Sequence, residues 1–154
     1  MTAEKLRAAG VEMVGVVGTA ADRARRYFSY RKPRYLVAAD PDLTSHRAFR
    51  VPHTAFTEEI FKIANAKIDG LARDSGLSVA PGGGWGALDR EDGIVAQDFA
   101  PDIERHQAQL TGQFLIDREG VIRWSNIETE RDGIEGLDRF PSDDELLAAA
   151  KGLS

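Results

Sequence analysis

The chain has 154 residues, 42% of them hydrophobic and 29% charged, which suits one globular domain around a single core. Its formal net charge of -5 argues against a general nucleic-acid binder, whose affinity comes mainly from Lys and Arg on phosphates. The absence of cysteine excludes disulfides, thiolate catalysis and Cys-ligated zinc within this chain, and with no bilayer-length apolar run and no secretory pattern the expected location is cytoplasmic.

In chain order, "TAEKLRAA" (2–9) reads as the end of a helix, with Gly10 as its stop. "VEMVGVVG" (11–18) follows. Val11, Met13, Val14, Val16 and Val17 make a nearly continuous apolar run, the pattern of a strand covered on both faces, as in parallel sheets. Thr19 is placed to cap the next helix, with Asp22 three residues on at the positive helix end. In "AADRARRYFSYRK", Ala21, Ala24 and Phe28 share one face while Arg23, Arg26 and Lys32 point elsewhere, and Pro33 ends the helix. "RYLVAAD" (34–40) is a second strand. A strand, helix and strand with short joints form a right-handed crossover, so the two strands should be parallel.

"DPDLTSHRAF" gives a turn and a short helix before Pro52 interrupts. "FTEEIFKIANAKIDGLARDSG" is the longest helical pattern. Thr57 is its expected N-cap, and Ile60, Phe61, Ala64, Ile68, Leu71 and Ala72 form its stripe. Residues 76–109 are rich in Gly and Asp and have no long period, so they read as an extended loop or insertion with at most one short strand or hairpin. In "TGQFLIDREGVIRW" (111–124), Phe114 and Ile116 face one side and Leu115 the other, and Val121 and Ile122 divide likewise. "DREG" supplies the turn, with Gly120 at the left-handed position of a bulged hairpin. In "PSDDELLAAAK", Ser142 and Glu145 form a capping box, and Leu146 and Leu147 begin the buried face of a closing helix.

Several local patterns have both a functional and a structural reading. "RARRYFSYRKPRY" interleaves cations with aromatics, as single-strand binders do, but helical spacing turns Phe28 inward and leaves most of the arginines solvated. "PGGGWGA" is glycine-rich, yet no Lys-Ser/Thr and no capped helix follows, so it reads as a flexible loop anchored by Trp85. "DREDG" (89–93) lacks the register of a calcium loop. His46, His53 and His106 lack metal-helix spacing, and no Ser-His-Asp arrangement is readable, so all three are read as structural or surface residues. The paired acids at the start of the closing helix serve its dipole. No cofactor, metal, nucleic acid or membrane partner is expected.

A parallel crossover followed by a hairpin and a terminal helix resembles the thioredoxin fold. Four segments narrow this: "LRAAGVEMVGVVGTAADRARRYF", "YLVAADPDLTSHRAFRV", "GQFLIDREGVIRW" with its FxIDxxGxI pattern, and "FPSDDELLAAAK". Together they resemble the peroxiredoxin-like branch of the alkyl hydroperoxide reductase/thiol-specific antioxidant (AhpC/TSA, redoxin) family, over residues 4–51 and 110–151. The resemblance implies an α/β, thioredoxin-like fold, with a parallel βαβ unit followed by an antiparallel ββα unit. It would be a single domain over 1–154, incomplete at its N-terminus, with a helix and a long Gly/Asp-rich insertion at about 55–109.

In that family the activity is thiol-dependent peroxide reduction. The reactive cysteine sits at the N-terminus of a helix in a strand-helix unit that precedes "LRAAGVEMVGVVG", where the positive helix end lowers the thiol pKa. Its thiolate attacks a peroxide oxygen and becomes sulfenic acid. This sequence starts inside that helix and lacks the cysteine, so it is expected to be inactive as a peroxidase. The resemblance places Thr19, Thr111, Gly112 and Gln113 at the face that would look toward the cysteine. Thr111 stands near where an Arg is typical, so that Arg is not carried over.

The family's strand between "VEMVGVVG" and "FLID" is also missing. The sheet should either close by direct re-pairing or expose apolar strand edges, which a second copy or a partner protein could fill. The alternative function is therefore a non-catalytic interaction module, using an exposed sheet edge or the 76–109 loop.

Overall fold

Helix α1 (Thr2–Ala8) ends where Gly10 takes a φ of 80°, a left-handed conformation that costs glycine little. The Val11 amide then returns to the Leu6 carbonyl at 2.9 Å, closing the helix and delivering the chain to β1 (Val14–Val17). This comes from a computed structural model, which describes residues 2–30, 32–55, 57–93 and 100–153.

The crossover unit forms as expected. β1 leads through α2 (Ala21–Tyr30) to β2 (Leu36–Ala39), and the two strands pair in parallel with Val14 beside Leu36 and Val17 beside Ala39. Ala24 is buried on α2, and Tyr27 and Phe28 meet edge to face with centroids 5.1 Å apart. The short α3 (Thr44–Ala48) follows, entered through Leu43 in the left-handed region at φ 53°. Gly18 leaves room for this, since a Cβ there would lie 2.5 Å from the Leu43 side chain.

α4 (Glu58–Asp74) begins at Thr57, whose hydroxyl accepts from the Ile60 amide at 3.2 Å. Its stripe is narrower than the spacing suggests. Ile60 and Ala72 are buried, but Phe61 and Leu71 are about half exposed. A carboxylate, Asp69, is buried as well, on the side of the helix opposite Ile60, which the hydrophobic pattern does not anticipate.

The expected long loop is substantially helical instead. α5 (Gly84–Asp92) opens inside "PGGGWGA", and α6 (Ala100–His106) follows; residues 94–99 lie outside the described residues. The missing cap is supplied from a distance. Asp69 on α4 accepts from the amides of Gly82 and Gly84 at 2.7 and 2.8 Å, satisfying donors that no local side chain reaches. Gly84 must be glycine, because a Cβ would lie 2.8 Å from the α4 backbone. Trp85 is about half exposed, with its indole N–H on Asn65 at 3.1 Å.

A two-residue pairing of β3 (His53–Thr54) with β4 (Ala108–Gln109) joins the middle segment back to the body. The hairpin of β5 (Gly112–Ile116) and β6 (Ile122–Ile127) then forms, antiparallel and irregular at Leu115/Ile116. Asp117 organises its turn by accepting from the Glu119 and Val121 amides, and Gly120 sits at φ 81°. Leu115 is buried, while Val121 and Ile122 are both exposed. After a 3-10 turn (Gly133–Gly136), α7 (Asp143–Lys151) carries the complete Ser142–Glu145 capping box.

The protein is thus mixed α/β. Its described strands form three two-stranded pairs and not one sheet. Two buried clusters hold it. Leu6, Leu115 and Ala150 unite α1, the hairpin and α7, with Val11 and Trp124 against them. Ile60, Ala108, Leu110 and Leu137 anchor α4 and the middle segment. Burying a leucine side chain completely contributes roughly 1.5–3 kcal/mol, and these, at 5–8% exposed, come close to that.

Candidate functional site: a groove between two open strand edges

β1 pairs only with β2, and β5 only with β6, among the described strands. Each therefore keeps one edge whose backbone N–H and C=O groups face no strand. Both edges line the same groove, of about 530 Å³, through Val14, Gly15 and Val16 on β1 and Gly112–Ile116 on β5. Direct re-pairing of β1 with β5, one of the two outcomes open from the sequence, has not occurred.

The groove's two sides follow from strand alternation. Leu115 turns toward Leu6 and Leu146, whereas Phe114 turns the other way and meets Phe49 with ring centroids 4.8 Å apart. Gly112 permits that contact, since a Cβ would come within 2.8 Å of both the Phe114 ring and the Val51 methyl. Val14 and Val16 line the groove yet stay 54% and 42% exposed, unusual for apolar residues of a strand in a parallel pair.

Of the residues singled out by resemblance, Thr111, Gly112 and Gln113 line this groove together. Thr111 is fixed by Glu128, a buried carboxylate that accepts from the Thr111 amide at 2.8 Å and also from the Asp138 amide. Gln113 accepts from the Asn126 side chain at 2.7 Å across the hairpin. Thr19 is placed elsewhere. Its hydroxyl donates to Asp102 on α6, which Arg23 also grips at 3.0 and 3.2 Å. Thr19 thus ties α6 to the end of β1, and α2 starts at Ala21 without its side chain.

Sequence reasoning missed a polar corner that opens onto the groove. Asp40, just after β2, accepts from the Ser45 amide at 2.7 Å and the Ser45 hydroxyl at 2.5 Å. These bonds, the hydroxyl's foremost, hold the Asp40 carboxyl below its ordinary range. His46 and Ser45 both line the groove. Burial pushes the His46 imidazole below its ordinary value, against the opposing pull of Asp40. His46 Nδ1 lies 3.9 Å from Asp40, beyond hydrogen-bond reach, and both it and His106 Nε2 are buried without a partner. The Asx-type sequence "DPDLTS" was the available signal for this turn.

The Ser45 hydroxyl donates its hydrogen bond to Asp40 rather than to His46, so these three side chains are not arranged as a Ser-His-Asp relay. Among the described residues, no group of three His, Asp or Glu side chains is placed to hold a metal, and no helix is long and apolar enough to cross a membrane. What the groove offers is apolar wall on two sides and two rows of backbone hydrogen-bonding groups. In comparisons with known proteins, no family model, no curated protein and no solved structure matches this chain.

Proposed function

We propose that this chain is a strand-accepting module of thioredoxin-like design, of the peroxiredoxin-like (AhpC/TSA) kind, whose work is to bind an extended segment between β1 and β5. The observation that carries the reading is that two strand edges, unpaired with each other, line one apolar groove. Support also comes from the order of parts: a parallel βαβ unit, then a hairpin, then a capped closing helix. In the family that the sequence resembles, the strand between these two carries the reactive cysteine into its helix. Peroxide chemistry would then belong to the bound segment, and this cysteine-free chain supplies the surrounding walls.

Two measurements test this. Hydrogen exchange of the amides of 14–17 and 112–116 should slow when an extended apolar peptide is added; unchanged exchange with every such peptide overturns the reading. The chain alone should consume no hydrogen peroxide with thioredoxin or dithiothreitol beyond a protein-free control, and turnover above that control would remove the non-catalytic half of the proposal.

A further inference from the structure

Helix α6 is tied across the carboxyl ends of both strands of the crossover. Thr19, two residues past β1, donates to Asp102, which Arg23 of α2 also grips at 3.0 and 3.2 Å. Pro41, two residues past β2, offers its carbonyl to Arg105 at 3.3 Å. His106, the last residue of α6, lies near enough to His46 on α3 for the charge of one to oppose the charge of the other. We infer that α6 is an acid-released strap: it is held shut over the ends of β1 and β2, and protonation of the neighbouring imidazoles of His46 and His106 lets it go. This device stands apart from the strand-accepting reading.

Both imidazoles are placed to respond to acid. His46 Nδ1 and His106 Nε2 are buried, and neither has a hydrogen-bond partner. A neutral ring can leave one nitrogen bare, but an imidazolium carries N–H at both and needs an acceptor for each. Asp40 lies 3.9 Å from His46 Nδ1, and its nearer oxygen already takes the Ser45 amide and hydroxyl. Burial outweighs the pull of Asp40 and keeps the His46 imidazole below its ordinary value, and His106 acts in the same direction as burial. Arg23, Asp102 and Arg105 are the other charged groups at this junction, with Arg23 and Asp102 paired to each other. Charging both rings therefore adds like-charge repulsion to the cost of buried N–H groups without acceptors.

The backbone on both sides is loaded toward release. α6 gives way to Gln107 at φ 55°, and α3 is bracketed by Leu43 at φ 53° and Arg50 at φ 56°. Residues with a side chain adopt this left-handed conformation only where their surroundings enforce it. The two helices have five and seven residues, too few to persist without the contacts that dock them. Loss of the docking contacts therefore frees the helix itself and relieves the turn at Gln107.

What the strap covers gives the release a use. Open α/β sheets take ligands outside the carboxyl ends of their parallel strands. Ser45 and His46 also line the groove, so withdrawal of His106 uncovers its polar corner.

The experiment is amide hydrogen exchange from pH 8 to pH 5, with each rate divided by that of an unstructured chain at the same pH. Protection of the amides of 104–107 should fall roughly tenfold or more, while that of 37–39 on β2 stays within about twofold. In His106→Gln the fall at 104–107 should shrink to under about threefold. Thr19→Val should lower the same protection already at pH 8, and no effect there overturns the docking that the strap requires. Constant protection of 104–107 in the parent overturns the inference. So does an equal fall in His106→Gln, or a fall shared by 37–39, which is general acid unfolding. In the unaltered chain, the imidazole proton resonances of His46 and His106 should shift over the same pH interval as the release. Resonances that shift wholly outside that interval overturn the inference even if His106→Gln fails to fold.

Discussion

Asp69 in the middle of α4 accepts a hydrogen bond from the Gly84 amide at 2.8 Å, so the start of α5 is capped by a side chain fifteen residues upstream. The Gly82 amide makes a second bond to the same carboxylate, and together these amides hold its carboxyl below the ordinary aspartate value. Asp69→Asn should lower the melting temperature by roughly 3–8 °C, as a lost cap at a domain of this size does. The sign with pH is fixed by the direction of the shift. The carboxylate's stabilisation is fully present above the unfolded-state value near 3.8 and fades as pH falls through the lower folded value. Thermal scans from pH 7 to pH 2.5 should show the variant and the parent converging only at the acid end.

Leu115 is 5% exposed and packs with Leu6 and Ala150, joining the hairpin to the two terminal helices. Leu115→Ala should cost about 2–5 kcal/mol in chemical denaturation, the range for removing a buried leucine. A loss under about 1 kcal/mol would mean that the hairpin is not held by this cluster.

Val16 lines the groove but is 42% exposed, so its side chain contributes little to the isolated fold. Val16→Lys should leave the melting temperature within about 3 °C of the parent. It should abolish peptide-induced protection of β1 and β5, because the ammonium would be buried by an occupant with no counter-charge beside it. Circular dichroism and hydrogen exchange on the same sample separate the two effects.

His46 carries a pH signature. Burial places its folded pKa below the ordinary imidazole value of 6.5. Between those two values the unfolded chain binds more protons than the folded one, so stability falls as pH drops through that window and levels off beneath it. His46→Phe should flatten this slope. An equal slope in parent and variant across pH 7 to 4 would assign the acid sensitivity to other groups.

Much of the frame was legible because it depends on local rules. The Thr57 cap, the Ser142–Glu145 box, Gly10 and Gly120 in the left-handed region, and the parallel pairing of β1 with β2 all follow from short-range sequence chemistry. That β1 and β5 would each keep an open edge was expected only through resemblance, and the groove is lined by both strands. What escaped was non-local. α5 looked like a loop because its cap, Asp69, is on another helix. Phe61 and Leu71 looked like core because periodicity marks an apolar stripe without saying how much of it the rest of the chain covers. Asp40 and His46 gained their roles only when β2 brought them to the groove's corner.

The separation of β1–β2 from β5–β6 also bears on how the chain comes apart. No strand pairing links the two units among the described residues, so what couples the hairpin to its surroundings includes a small side-chain cluster around Leu6 and Leu115 and no backbone ladder across the groove. Loss of one unit then need not drag the other with it, and denaturant unfolding should be broad, with a low apparent m value and with probes on Trp124 and on α2 reporting different midpoints. A strand seated in the groove would fuse the two units into one cooperative block. The occupant would thereby change the number of folding units as well as the total stability, and a sharpened transition is the sign of it.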